Sequence, residues 1–212
     1  MAINWNFPSP RPGLAGALDK FIGPGATRAE LTLQFGLPAL AAIAAPLYAS
    51  HVVENWSWLQ YAVCCILAFD TAGGIITNAT SSAKRWYHRA GQGFKQHFGM
   101  ASVHLVHLLV VSWLYLAFDV RWFLVSGGYL LVGSAVVLWV SQYLQRPVAL
   151  IVFGCALLIS LYVLPQPVGL EWFLPLFYLK LLVSHLPKEE PYRPPSEANN
   201  ALQPAASRAD RG

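Results

Sequence analysis

The sequence predicts an all-α fold: a polytopic integral membrane helix bundle of about six transmembrane helices, with N- and C-termini cytoplasmic. Three observations predict it. Hydrophobic residues make up 56% of the chain and charged residues 11%, against the ~25% charged content of an ordinary soluble domain. Mean hydropathy is +0.46. Apolar runs at 31–50, 58–80, 98–118, 122–143, 147–164 and 168–186 each approach the ~20 residues that cross a bilayer. The basic residues then segregate to one side of those runs.

Residues 1–29 form a cytoplasmic N-terminal segment rich in proline and glycine. They lack the apolar core and small-residue cleavage site of a secretory signal. Thr27 to Glu30 reads T-R-A-E, a capping box that opens the first long helix. Residues 30–186 form the six-helix transmembrane domain, with Trp56, Trp58, Trp122 and Trp172 near run ends, as in an aromatic belt. Ala41, Ala42 and Ala45 in the first run, and Gly127, Gly128 and Gly133 in the fourth, allow close helix approach. Pro165 and Pro167 end the fifth. Residues 187–212 read as a disordered cytoplasmic tail.

With the N-terminus inside, Lys20, Arg28, Lys84, Arg85, Lys95 and Arg146 fall on the cytoplasmic side, and the outer connections carry Arg121 alone. A net charge of +4 therefore points to membrane lipids as partners and not to nucleic acid. Cys64, Cys65 and Cys155 all sit in apolar runs without a CxxC, which argues against a disulfide framework or thiolate zinc site. Asn78-Ala79-Thr80 matches a glycosylation sequon but lies on the cytoplasmic side.

The chemistry concentrates between Phe69 and His107. Asp70, Thr77, Ser81, Lys84 and His88 share one face at helical spacing, with Gly73 and Gly74 beside them. His97, His104 and His107 share a face of the next run. A turn near Gln92 sets His88 opposite His97, Ser81 opposite His104, and Asn78 opposite His107. Ionisable residues inside apolar spans mark functional sites by default. Asp70 lies deepest; left alone it would take up a proton, but Lys180 from the sixth run is long enough to hold it as an anion, with His185 at the cytoplasmic mouth.

Three function classes fit this pattern. The leading one is a membrane-embedded enzyme acting on a lipophilic small molecule, in which a carboxyl at Asp70, kept protonated by a low-dielectric pocket, divides acid and base work with His104 and His107, with Lys180 as the fourth catalytic candidate. Gly73, Gly74, Thr77 and Asn78 would contact substrate, and the aromatic faces of Trp113 and Tyr115 would stabilise cationic intermediates. A metal-dependent variant would use His97, His104, His107 and Asp70, but a single His-x-x-His pair is a weak signal, and no metal site is assigned. The others are a proton-coupled transporter or channel and a non-catalytic membrane subunit. The sequence assigns no cofactor and no oligomeric state.

Overall fold

The structure, a computed structural model, describes residues 4–192. These residues are helical throughout their ordered elements, and no strand forms among them. Five passes are long and apolar enough to cross a membrane: α2 (Arg28–Val52), α3 (Trp58–Ala79), α5 and α6 together (Phe94–Val103, Leu105–Tyr115), α7 (Val120–Trp139) and α8 (Gln142–Tyr162). Short helices α1 (Gly13–Ile22) and α4 (Ser81–Tyr87) pack together at the basic end. The outer faces of the long helices are apolar: Leu33, Leu40, Ile43, Ile66, Val132 and Ile151 are all more than half exposed. Such a surface suits lipid and not water.

Local chemistry sets the element ends. Thr27 and Glu30 make both bonds of the expected capping box, and the second carboxylate oxygen of Glu30 accepts from the Ser82 backbone N–H at 3.0 Å. The cap that starts α2 thus also ties it to α4. Ser57 and Gln60 repeat the box at the start of α3. Helix α1 occupies part of the proline- and glycine-rich N-terminal segment; Arg11 folds back onto it through its side chain and backbone N–H, both bonded to Asp19 at 2.7–3.2 Å.

The last apolar run differs most from expectation. Instead of a sixth long span over 168–186, it holds six-residue α9 (Phe173–Tyr178) continued by a seven-residue π-helical segment (Leu179–His185). This short helix is the centre of the molecule. It contacts α3, α7 and α8, and Phe173, Leu174, Phe177, Tyr178, Leu181 and Leu182 are at most 1% exposed. A helix enclosed by protein need not match the bilayer thickness, because lipid does not meet its ends. Its neighbours make room with small residues: a side chain at Gly133 would meet Val152 and Leu182. Tyr178 donates to the Ser126 carbonyl at 2.9 Å. Trp122, placed at an interface by the sequence, is instead fully buried, with its indole N–H bonded to the Pro165 carbonyl at 3.0 Å.

Two further departures concern the hairpin. The second run does not continue as one helix to His88, because Thr80 adopts an extended conformation (ψ 150) and its hydroxyl caps α4. The third run breaks at His104. The His104 ring Nδ1 takes the Met100 carbonyl at 2.8 Å, the acceptor its own backbone N–H would use in an α-helix, and that N–H turns to Ala101 at 3.1 Å. These breaks shift the pairing. His88 does stack on His97, at 4.4 Å between centroids, but Ser81 bonds the Tyr192 carbonyl and Asn78 meets His185. Ser81–His104 and Asn78–His107 are therefore not partners. Residues 187–192 run back along the basic end, where Glu189 lies 3.6 Å from Lys84 and 3.5 Å from Arg146. The remainder of the tail, 193–212, lies outside the described residues.

The α6–α7 turn carries backbone strain. Ala117 (φ 49) and Phe118 (φ 61) are both left-handed, a region costly to residues with a Cβ. Ala117→Gly is expected to raise the stability of the detergent-solubilised protein by about 1 kcal/mol, read as a higher thermal midpoint.

Candidate functional site

Asp70 is the junction of the site. Its Oδ2 accepts from Lys180 Nζ at 2.6 Å and lies 3.2 Å from His107 Nε2. The lysine comes from the central helix, 110 residues away in sequence. Gly74, one helical turn after Asp70, makes the approach possible: a Cβ there would collide with Cγ, Cδ and Cε of Lys180. Gly73 instead faces Pro38 of α2, whose Cγ a Cβ at position 73 would meet at 3.4 Å. With ammonium and imidazole both on it, Asp70 has the geometry of an ionised carboxylate and not of a neutral proton donor.

The π-helical winding matters equally. Leu186 N–H bonds the Leu181 carbonyl five residues back, at 3.2 Å. In an α-helix, at about 100° per residue, Lys180 and His185 would point about 140° apart. Wound as a π-helix, the turn closes after about five residues, so both face α3. His185 Nδ1 lies 3.1 Å from Asn78 Oδ1, and its Nε2 lies 3.3 Å from His97 Nδ1. With Asn78 Oδ1 accepting, His185 carries its proton on Nδ1 and accepts from His97 through Nε2. His88 Nε2 donates to the His185 carbonyl at 3.0 Å. The result is a buried trio of rings closing the basic end, each at most 6% exposed.

Lys84 completes that closure. Its ammonium donates to the carbonyls of Ser184 and Pro187 at 2.7 and 2.8 Å, so it caps the C-terminal end of the central helix. Burial pushes its pKa down to about 8, against the opposing pull of Glu189. His88, buried beside His97, Lys84 and His185, is pushed down to about 2, chiefly by loss of solvent.

A cavity of about 130 Å³ lies between these two tiers, lined by Asp70, Gly74, Thr77, Asn78, His104 and Lys180. Phe21 of α1, Tyr87 of α4, Met100 of α5 and Leu181 and His185 of the central helix complete its walls. His104 Nδ1 is committed to a carbonyl, which can only accept, so Nδ1 carries the proton and Nε2 of the neutral ring is a free lone pair. The His104 ring stacks on His107 at 5.0 Å. A second, largely apolar cleft of about 310 Å³ runs between α2 and α3. It shares Phe21, Asp70, Gly74 and Thr77 with the first, and Gly73 lines it.

No protein-family model matches the chain, and none of the curated proteins or solved structures does. The geometry alone must carry the functional reading.

Of the ten residues given catalytic or substrate-contact roles from sequence, eight thus gather here: Asp70, His104, His107 and Lys180 with their neighbours Gly73, Gly74, Thr77 and Asn78. Two do not. Trp113 is 60% exposed on the outer surface. Tyr115 bonds the Gln60 carbonyl beside Trp56, at the opposite end of α3 from Asn78. Among the described residues no group of three His, Cys, Asp or Glu side chains is placed to hold a metal ion. Phe21 and Gln34, which line the cleft, were missed: nothing marks Phe21, whereas a lone amide in an apolar run was a usable signal for Gln34.

Removing one member of the Asp70–Lys180 pair strands a buried charge, whereas removing both does not. Asp70→Asn is therefore expected to destabilise by about 2 kcal/mol, and Asp70→Asn with Lys180→Met by clearly less; a double-mutant cycle in detergent measures this. A second expectation concerns acid. The unfolded chain protonates His88 near its ordinary 6.5 while the folded protein keeps it neutral. That stability is fully present above pH 6.5 and is lost as pH falls below it, by at most about 1.4 kcal/mol per pH unit. Thermal midpoints at pH 7.5 and 5 should differ accordingly, and His88→Gln, which keeps the N–H donor for His185, should reduce the difference.

Proposed function

We propose that the protein is a membrane-embedded enzyme that performs acid–base chemistry on a lipophilic small molecule, with its cavity mouth and both termini on the cytoplasmic side. The observation that carries this reading is that His104, whose Nδ1 is bonded to a carbonyl and whose Nε2 is left free, lines the same small cavity as the Asp70–Lys180 pair. A neutral imidazole accepts a proton from substrate. The Lys180 ammonium, held in place by Asp70, stabilises the negative charge that then develops, and does so strongly where water is scarce. His107 bridges these groups by bonding Asp70 and stacking on His104. The apolar cleft offers a lateral route for a substrate dissolved in the bilayer, past the exposed side chains of Phe35, Ile66 and Phe69.

Conduction is less well supported. A transport path would have to continue beyond Asp70, but on that side of Lys180 the central helix presents Tyr178, Phe177, Leu174 and Phe173, all at most 1% exposed. The polar groups form a dead-ended site, which suits catalysis better than passage.

The test works without a candidate substrate. Lipid-soluble metabolites are compared between membranes containing wild-type protein, His104→Gln, Asp70→Asn or no protein. A compound converted by wild type in detergent, without a gradient, identifies the substrate. His104→Gln should then lower turnover at least about 100-fold, with normal amounts of protein in the membrane. Unchanged turnover in both variants would remove these residues from the chemistry, and movement of a compound across sealed vesicles without conversion would replace the enzyme with a transporter.

A further inference from the structure

The cleft between α2 and α3 contains a polar group for which the fold has no use. Gln34 is 2% exposed, and neither Nε2 nor Oε1 has a hydrogen-bond partner. Leaving a buried amide unpaired costs about 1–3 kcal/mol per group, so native proteins keep such groups rarely and usually for a reason. Every other buried position of α2 is filled by Pro38, Ala42 or Ala49, so an apolar side chain would serve packing at position 34 at least as well. Gln34 is one of the residues lining the cleft, alongside Phe21, Phe35, Ile66, Phe69, Asp70 and Thr77 among others, and its two amide atoms lie sealed beneath that surface, so a ligand reaches them through a turn of the side chain.

We infer that this cleft binds a single-chain lipophile bearing a hydroxyl group, with the hydroxyl on Gln34 and the chain in the cleft. The chemistry of the orphan selects the class. An amide offers one acceptor and one donor side, and a hydroxyl satisfies both by donating to Oε1 and accepting from Nε2. An ester or ether oxygen answers only the donor, an anionic headgroup would meet the Asp70 carboxylate in the wall, and a cationic one would find that carboxylate already held by Lys180. The volume of about 310 Å³, compared with ~30 Å³ for a water-sized group, accommodates a chain of about ten such groups. The shared wall at Asp70, Gly74 and Thr77 brings the bound molecule to the reactive cavity. The inference deepens the proposed enzymatic reading and rests on it for the fate of the ligand, but not for binding.

Dodecan-1-ol and its methyl ether share the chain and the acceptor oxygen, but only the alcohol donates; the ether carries a methyl group in place of that hydrogen. Protection of the purified full-length protein against thermal unfolding is titrated with each, at matched mole fraction in detergent. For wild type, half-saturation is expected at about tenfold lower mole fraction for the alcohol. Gln34→Met, which keeps the length of the side chain and removes the orphan, should be at least as stable as wild type without ligand and should lose the preference. Equal protection of wild type by alcohol and ether would overturn the inference, because the cleft would then hold only an alkyl chain; so would a preference that survives Gln34→Met. A preference that stands while no compound is converted would sink the enzymatic reading alone.

Discussion

One ion pair sets the arrangement of the bundle. Asp70 and Lys180 bring the second long helix and the central helix to one register, since only one rotation of the central helix puts the ammonium 2.6 Å from the carboxylate. Buried pairs contribute little net stability relative to apolar substitutes, and their best-attested role is to select one arrangement. Two unrelated features are subordinate to it here. Gly74 clears the path of the lysine stem, and the π-helical winding lets the residue five positions on share the same face. An alanine at 74 or a regular α-helix over 179–185 would each move Lys180 out of place.

The polar interior is layered. Deep in the bundle, Asp70, Lys180 and His107 form a charged tier with His104 stacked against it. Nearer the basic end, His88, His97 and His185 form a neutral tier, with Lys84 beneath them on the last carbonyls of the central helix. The cavity lies between the two. Each tier takes residues from α3–α4, from α5–α6 and from the end of the chain, so the site exists only in the assembled bundle.

Much of this was legible in the sequence. Apolar periodicity and charge segregation locate the five long helices, and the scarcity of ionisable residues in apolar runs singles out Asp70, His104, His107 and Lys180. Three features were not legible, for physical reasons. The breaks at Thr80 and His104 arise from side chains that take over backbone hydrogen bonds, which helical periodicity does not register. The sixth run is apolar because it is enclosed by protein, and apolarity by itself does not distinguish a lipid-facing helix from a buried one. Trp113 and Tyr115 were chosen for chemical type, yet they sit on the outer surface and at the far end.

The central position of the last helix has a consequence for how the protein is made. The ribosome delivers the five long helices before Phe173, so α3, α7 and α8 are all made before the helix they pack against. During that interval Asp70 has no ammonium, and the groove meant for Phe177 and Leu181 faces lipid or solvent. A chain stalled before Lys180 would leave the Asp70 carboxylate without the ammonium that holds it in the finished protein.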